Sequence, residues 1–136
     1  MKKFFSANYS AFSFNLSMFL LRIGFGSLLF INYGWFKLMH FAELKNKFSD
    51  PIHIGQTPSL ILVIFAEIFC TAMIVLGLFT RFAALTLVIM FLVIVFIVLK
   101  GKPLKDLEPA ILFLLAFSTI LFCGPGKWSL DKLIGK

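Results

Sequence analysis

The sequence predicts an all-α, integral membrane four-helix bundle, and three observations carry that expectation. Of the 136 residues 60% are hydrophobic and only 14% are charged, with a mean hydropathy of +1.00. A soluble domain of this size carries about 25% charge, so the shortfall means that most of the surface faces lipid. Four apolar runs also follow one another, each close to the roughly 20 residues that a helix needs to cross a bilayer.

The first run, 14–39, exceeds the crossing length and is expected to tilt. The second, 59–79, opens after Pro58, and the third, 82–99, is apolar throughout except for Thr86. The fourth, 107–123, stops at Gly124-Pro125-Gly126, where a helix cannot easily continue. Little more than Thr80-Arg81 joins the second and third runs, which makes them an antiparallel hairpin. In the first loop, Phe41, Leu44 and Phe48 fall at helical spacing and Glu43 stands four residues before Lys47. That pattern predicts a short interfacial helix ended by Asp50-Pro51. Nothing repeats at a fixed period, so residues 1–136 form one domain.

The net charge of +7 comes mainly from lysines in loops and at the ends. It speaks of orientation and of anionic headgroups. It does not speak of nucleic acid, which would need a basic patch on a folded polar face. An even number of spans puts both termini on one side, with Lys2, Lys3, Arg81, Lys127, Lys132 and Lys136. The other side carries Lys37, Lys45, Lys47, Lys100, Lys102 and Lys105, so the count is six against six and the positive-inside rule is balanced. Arg81 in the tightest turn and the basic ends favour termini inside. The start Met1-Lys2-Lys3 resembles a secretory leader, but the next residues are Ser/Asn-rich and Arg22 interrupts the apolar run. The first helix is therefore expected to be retained.

An ionisable group inside a span costs several kcal/mol unless it faces the bundle and finds a partner. Arg22 and Glu67 lie clearly inside, and Lys37 and Glu108 lie near the ends. On an ideal helix Arg22, Gly26, Leu29, Tyr33 and Lys37 share one face of the first span. Glu67, Cys70, Thr71 and Ile74 share a face of the second, and Glu108, Leu112, Leu115, Thr119 and Cys123 a face of the fourth. Three polar stripes on three helices should point at each other. Depth along upright helices pairs Lys37 with Glu108 and brings Tyr33 to Glu67, leaving Arg22 roughly 12 Å from Glu67 along the axis.

Two readings stay open for this set. In one, the groups clamp helices that lipid does not drive together. In the other, they line a small polar pocket for a quinone, a sulfur oxyanion or a proton. The same rise per residue separates Cys70 from Cys123 by about 14 Å, too far for a disulfide. His40 and His53 share a loop but lack a third ligand at recognisable spacing, so no metal site is expected. Trp35 and Trp128 flank the spans as interfacial anchors.

The stretch LLRIGFGSLLFINYGWFKL, then Glu67, LGLFTRFAAL, Glu108 and GPGKWSLD together resemble the DoxX family of bacterial membrane proteins, from about residue 19 to residue 133. The pattern falls on Arg22, Gly34, Lys37, Glu67, Arg81, Glu108, Gly124, Pro125, Ser129 and Asp131. The resemblance implies a four-helix bundle in the bacterial cytoplasmic membrane and a link to redox chemistry. The family is named for its likeness to a subunit of an archaeal thiosulfate:quinone oxidoreductase, and some members associate with enzymes of oxidative or thiol stress. Many members carry His-Gly before the Trp, where this chain has Tyr33-Gly34. A proton shuttle through that His is in doubt here, because Tyr titrates near pH 10.

The expected function is a membrane subunit of a redox or stress-related assembly, binding a quinone or a sulfur or thiol species between the first, second and fourth spans. Glu67 and Tyr33 are its candidate catalytic groups; Arg22, Lys37, Glu108, Thr119 and Cys70 are its candidate binding groups. As an enzyme it is at most an accessory subunit of a quinone-linked oxidoreductase, partnered by the lipid bilayer and by another subunit or a second copy. The rival readings are a non-enzymatic scaffold or anchor of a larger complex, and a small transporter. A scaffold is expected to lack a cavity at Glu67. A transporter is expected to show broken helices or inverted repeats, and the sequence shows neither.

Overall fold

The computed structural model of the chain describes residues 10–47 and 53–134. Within them are four helices long and apolar enough to cross a membrane: α1 (Ala11–Met39), α3 (Gln56–Leu76), α4 (Thr80–Val98) and α5 (Leu104–Cys123). Two single turns complete the set, α2 (Phe41–Leu44) in the first loop and α6 (Leu130–Leu133) after the last span. No strand occurs among the described residues. The spans begin two to three residues earlier than hydropathy places them, because a helix continues into polar flanks that do not cross the bilayer. Pro58 accordingly sits in the first turn of α3, where its missing N–H costs nothing. Phe48, Asp50 and Pro51, expected to extend and end the loop helix, lie outside the described residues.

The chain packs as a ring in which α1 touches α3 and α5, α3 touches α4, and α4 touches α5. The α4–α5 seam alternates small and large side chains. Ala83, Ala84, Leu87 and Phe91 meet Ala110, Phe113, Phe117 and Ile120, all buried. Phe91, Phe113 and Phe117 stack with ring centroids 5.6–6.2 Å apart and planes within 12°. Phe25 of α1 meets Phe113 edge-on at 5.8 Å, which closes the ring. The outer faces are lined by exposed residues such as Leu28, Ile31, Phe69, Phe82, Leu115 and Phe122, as a bilayer-facing surface requires. The fourth span has a different inner face from the expected one: Leu112, Leu115, Thr119 and Cys123 point outward. Thr119 satisfies its hydroxyl on the carbonyl of Leu115 in its own helix, at 2.9 Å, and so has no need to turn inward.

Three of the four spans contain a π-helical stretch: Phe30–Trp35 in α1, Ala66–Cys70 in α3 and Ile94–Val98 in α4. Each wider turn offsets everything after it relative to an ideal 3.6-residue helix. In α1 the buried positions run Arg22, Gly26, Leu29 and then Gly34, a step of five where the ideal pattern places Tyr33.

The α3–α4 hairpin turns at residues 77–79, not at Thr80-Arg81, which form the first turn of α4. Gly77 ends α3 in the left-handed region (φ +76°), with its N–H on the Ile74 carbonyl (3.1 Å) and that of Leu78 on Met73 (2.9 Å). A Cβ there would also collide with the Arg22 guanidinium and with Ser129. The start of α4 is capped from far along the chain. The carboxylate of Asp131 accepts the N–H groups of Phe79 (2.8 Å) and Thr80 (3.0 Å), while its own N–H donates to Gly77 O (2.8 Å). Asp131→Ala is expected to cost about 2 kcal/mol, the scale of a lost cap with two stranded donors. Hydrogen exchange in detergent should show the Phe79 and Thr80 amides losing protection first; unchanged protection there would contradict the capping role.

Candidate functional site

The charged groups inside the bundle sort into two sites, and one geometric rule explains the sorting. Side chains on a helix lean toward its N-terminus. Lys37, near the end of α1, therefore leans back into the bundle, and Glu67, on the oppositely running α3, leans toward the loop side to meet it. Lys37 Nζ lies 2.6 Å from Glu67 Oε1, forming the single ion pair among the described residues. Glu67 is 2% exposed and Lys37 19%. Glu108, at the N-terminal end of α5, leans outward by the same rule and is exposed. The expected Lys37–Glu108 pair is thus replaced by Lys37–Glu67.

Tyr33 does not bond the carboxylate. The π-helical turn puts Gly34 against Glu67 instead, where a Cβ would stand 3.1 Å from the Glu67 backbone carbon and 2.9 Å from Ile68. Only a residue without a side chain lets α1 approach α3 this closely. Tyr33 is displaced to the partly exposed flank, its ring edge-on to Phe113 at 5.6 Å. The Lys37 ammonium sits 5.4 Å from the centre of that ring, within cation–π range. Tyr33 therefore touches the cation of the pair, not its anion.

Glu67 Oε2, buried, has no hydrogen-bond partner among the described residues. Beside it opens a cleft of about 480 Å³ between α3 and α4, with Lys37 at its edge. Its walls are mostly Leu, Val, Ile and Met; Ser59 and Thr86 are its polar positions apart from the ion pair. Leu62, Phe65 and Ile89 line it and are themselves exposed, so the cleft opens toward the lipid-facing side. The π-helical stretch of α4 contributes Ile94 and Val98. Cys70 is buried with its thiol beside the Thr86 hydroxyl, one layer behind the cleft wall. Both cysteines are free. The third span, which the sequence offered only as an apolar wall, forms half of this cleft; Thr86, its lone polar residue, was the signal available.

Arg22 belongs to the other end of the bundle. It leans toward the start of α1 and is 1% exposed. Its guanidinium donates to the carbonyls of Ile74 (3.2 Å) and Val75 (3.4 Å) at the end of α3, and to the carbonyl of Trp128. Asp131 supplies the nearby negative charge. Arg22 and Glu67, which upright helices already set roughly 12 Å apart along the axis, do not pair, because the two side chains lean in opposite directions. The arginine ties the segment after α5 to the α3 C-terminus, where the helix dipole favours a cation. Asn15 adds a second tie, its Oδ1 accepting the Lys127 N–H at 2.9 Å. A pocket enclosed by Arg22, Tyr33, Glu67 and Thr119 therefore does not form. No group of three His, Cys, Asp or Glu residues suited to a metal occurs among the described residues, and His40 Nδ1 lies 2.9 Å from the Phe36 carbonyl.

The model of the DoxX family matches residues 17–100. The chain belongs to the DoxX family. The matched region contains Arg22, Gly34, Lys37, Glu67 and Arg81, and with them most of α1 and all of α3 and α4, hence both helices that form the cleft. It stops before α5 and the Gly124–Asp131 segment, although in this DoxX protein that segment carries the Trp128 carbonyl that accepts from Arg22 and the nearby charge of Asp131. No curated protein and no solved structure matches the chain.

Proposed function

We propose that this DoxX-family membrane protein binds a lipophilic small molecule with a hydrogen-bonding head, of the quinone type, in the α3–α4 cleft. It would do so as a subunit of a redox or stress-related assembly. The observation that carries the reading is Glu67 Oε2, a buried acceptor with no donor among the described residues, at the inner edge of an apolar cleft. An unsatisfied buried acceptor costs about 1–3 kcal/mol, which a donor on a ligand recovers. A quinol hydroxyl is such a donor, and the Lys37 ammonium is the matching donor for a quinone carbonyl. Apolar walls favour a quinone over a hydrophilic sulfur oxyanion, whose desolvation they would not repay.

In this reading Glu67 is the proton-handling group, Lys37 holds the ring oxygen, and Tyr33 positions Lys37 through its ring face. Interconversion of quinone and quinol exchanges two electrons and two protons. Glu67 takes or returns one proton, the second is exchanged with the water phase, and a partner redox protein supplies or accepts the two electrons. The cavity beside Glu67 also counts against a purely structural scaffold. The test is binding of a short-chain ubiquinone and its quinol to the protein in nanodiscs. Glu67→Gln and Lys37→Met are each expected to weaken binding at least tenfold, the scale of one charge-assisted hydrogen bond. Thr119→Val, on the outer face of α5, should leave it unchanged. Absence of saturable binding to the unmodified chain, or equal binding by Glu67→Gln, rejects the reading.

A further inference from the structure

A second cleft, of about 490 Å³, lies at the opposite end of the bundle from Lys37. Asn15, Arg81, Gly124, Gly126, Lys127 and Lys132 line it, bringing together the start of α1, the start of α4 and the segment that leaves α5. Three cations thus converge on one concavity. No described carboxylate lies within ion-pair distance of any of them. The acid close by in sequence, Asp131, presents its two oxygens to the amides of Phe79 and Thr80. Three like charges around one hollow repel each other, and an anion in their midst relieves that repulsion.

The hollow is built before any anion arrives. Nitrogens of the Arg81 guanidinium lie 3.2 and 3.3 Å from where a Gly124 Cβ would stand, so the guanidinium rests against backbone that has no side chain. The Lys127 N–H is fixed to Asn15 Oδ1 at 2.9 Å, which pins the loop to α1. Since the cleft sits where three spans end, it lies at the level of lipid headgroups.

We propose that this cleft is a phosphate-binding site. Arg81 forms the planar, paired contact that suits a phosphate, and Lys127 and Lys132 close around it as point charges. The phosphate is carried by an anionic phospholipid headgroup or is free in the water phase, and both present the same oxygens. The site is independent of the quinone cleft, and its test does not use that cleft.

The experiment uses the full chain in neutral maltoside micelles, titrated with phosphatidylglycerol and read by native mass spectrometry. Saturable retention of roughly one lipid per chain is expected. Each charge removed, in Arg81→Gln or Lys127→Gln, should weaken it roughly fivefold. The loop-side double variant Lys102→Gln/Lys105→Gln should bind as the unmodified chain does. Arg81→Lys keeps the charge and reads the site should Arg81→Gln fail to fold. Displacement of the lipid by inorganic phosphate would identify free phosphate as a ligand of the same site; retention of the lipid against it would identify the headgroup as the ligand. Non-saturable binding, or an equal loss in Lys102→Gln/Lys105→Gln, would overturn the proposal, because only general attraction between a basic protein and acidic lipid would then remain.

Discussion

Arg22→Leu is expected to destabilise the protein by about 4 kcal/mol and to detach the segment after α5. The guanidinium is buried and donates to three carbonyls, those of Ile74, Val75 and Trp128. Ile74 keeps one donor, the Gly77 N–H. The Val75 and Trp128 carbonyls lose their side-chain donor, and each stranded acceptor costs about 1–3 kcal/mol. Loss of the charge also removes the counterpart of Asp131 and of the α3 dipole. Unfolding measured by steric trapping in bicelles, with hydrogen exchange over residues 126–133, checks both parts. Arg22→Lys keeps a cation but cannot span the same carbonyls, and should recover less than half of the loss. A change below about 1 kcal/mol in Arg22→Leu would mean that the arginine does not hold the two ends together.

Lys37→Met carries the second large effect, about 3 kcal/mol, because it leaves Glu67 buried beside Gly34 without its cation. Removing one member of a buried pair is costly chiefly through the charge left behind. The penalty should therefore collapse when that charge is removed as well. In the double variant Lys37→Met/Glu67→Gln most of the stability is expected to return, giving a coupling energy of about 2 kcal/mol in a double-mutant cycle. Additive losses in the cycle would show that the two side chains act separately, contrary to their 2.6 Å contact. Ligand binding should not return with stability, since neither the ammonium nor the carboxylate remains in the double variant. That separation distinguishes a clamp, which needs only packing and neutrality, from a binding site, which needs these two groups.

Much of the architecture was legible in the chain because bilayer crossing imposes a length and a hydropathy on every span. The inward face of the second span was legible too: Glu67, Cys70, Thr71 and Ile74 are buried as helical spacing requires. The first span followed its ideal face from Arg22 to Leu29 and lost it at the π-helical turn, which no residue count announces. The fourth span turns the face opposite to its polar stripe inward. Thr119 bonds its own helix, Glu108 lies at an exposed end, and the Ala and Phe positions take the seam with α4.

Composition and spacing alone determined that this is a four-span membrane bundle and that Arg22 and Glu67 need partners inside it; the resemblance to the DoxX family came from its motifs, LGLFTR and GPGKWSLD above all. Only the tertiary structure decided who those partners are. The reason is directional. Which helices run up and which run down sets the lean of every side chain, and a wider turn changes which residue faces the neighbour. Those two facts together join Lys37 to Glu67 and send Arg22 to the far end. They also open the lipid-facing cleft on a helix whose sequence is almost entirely apolar.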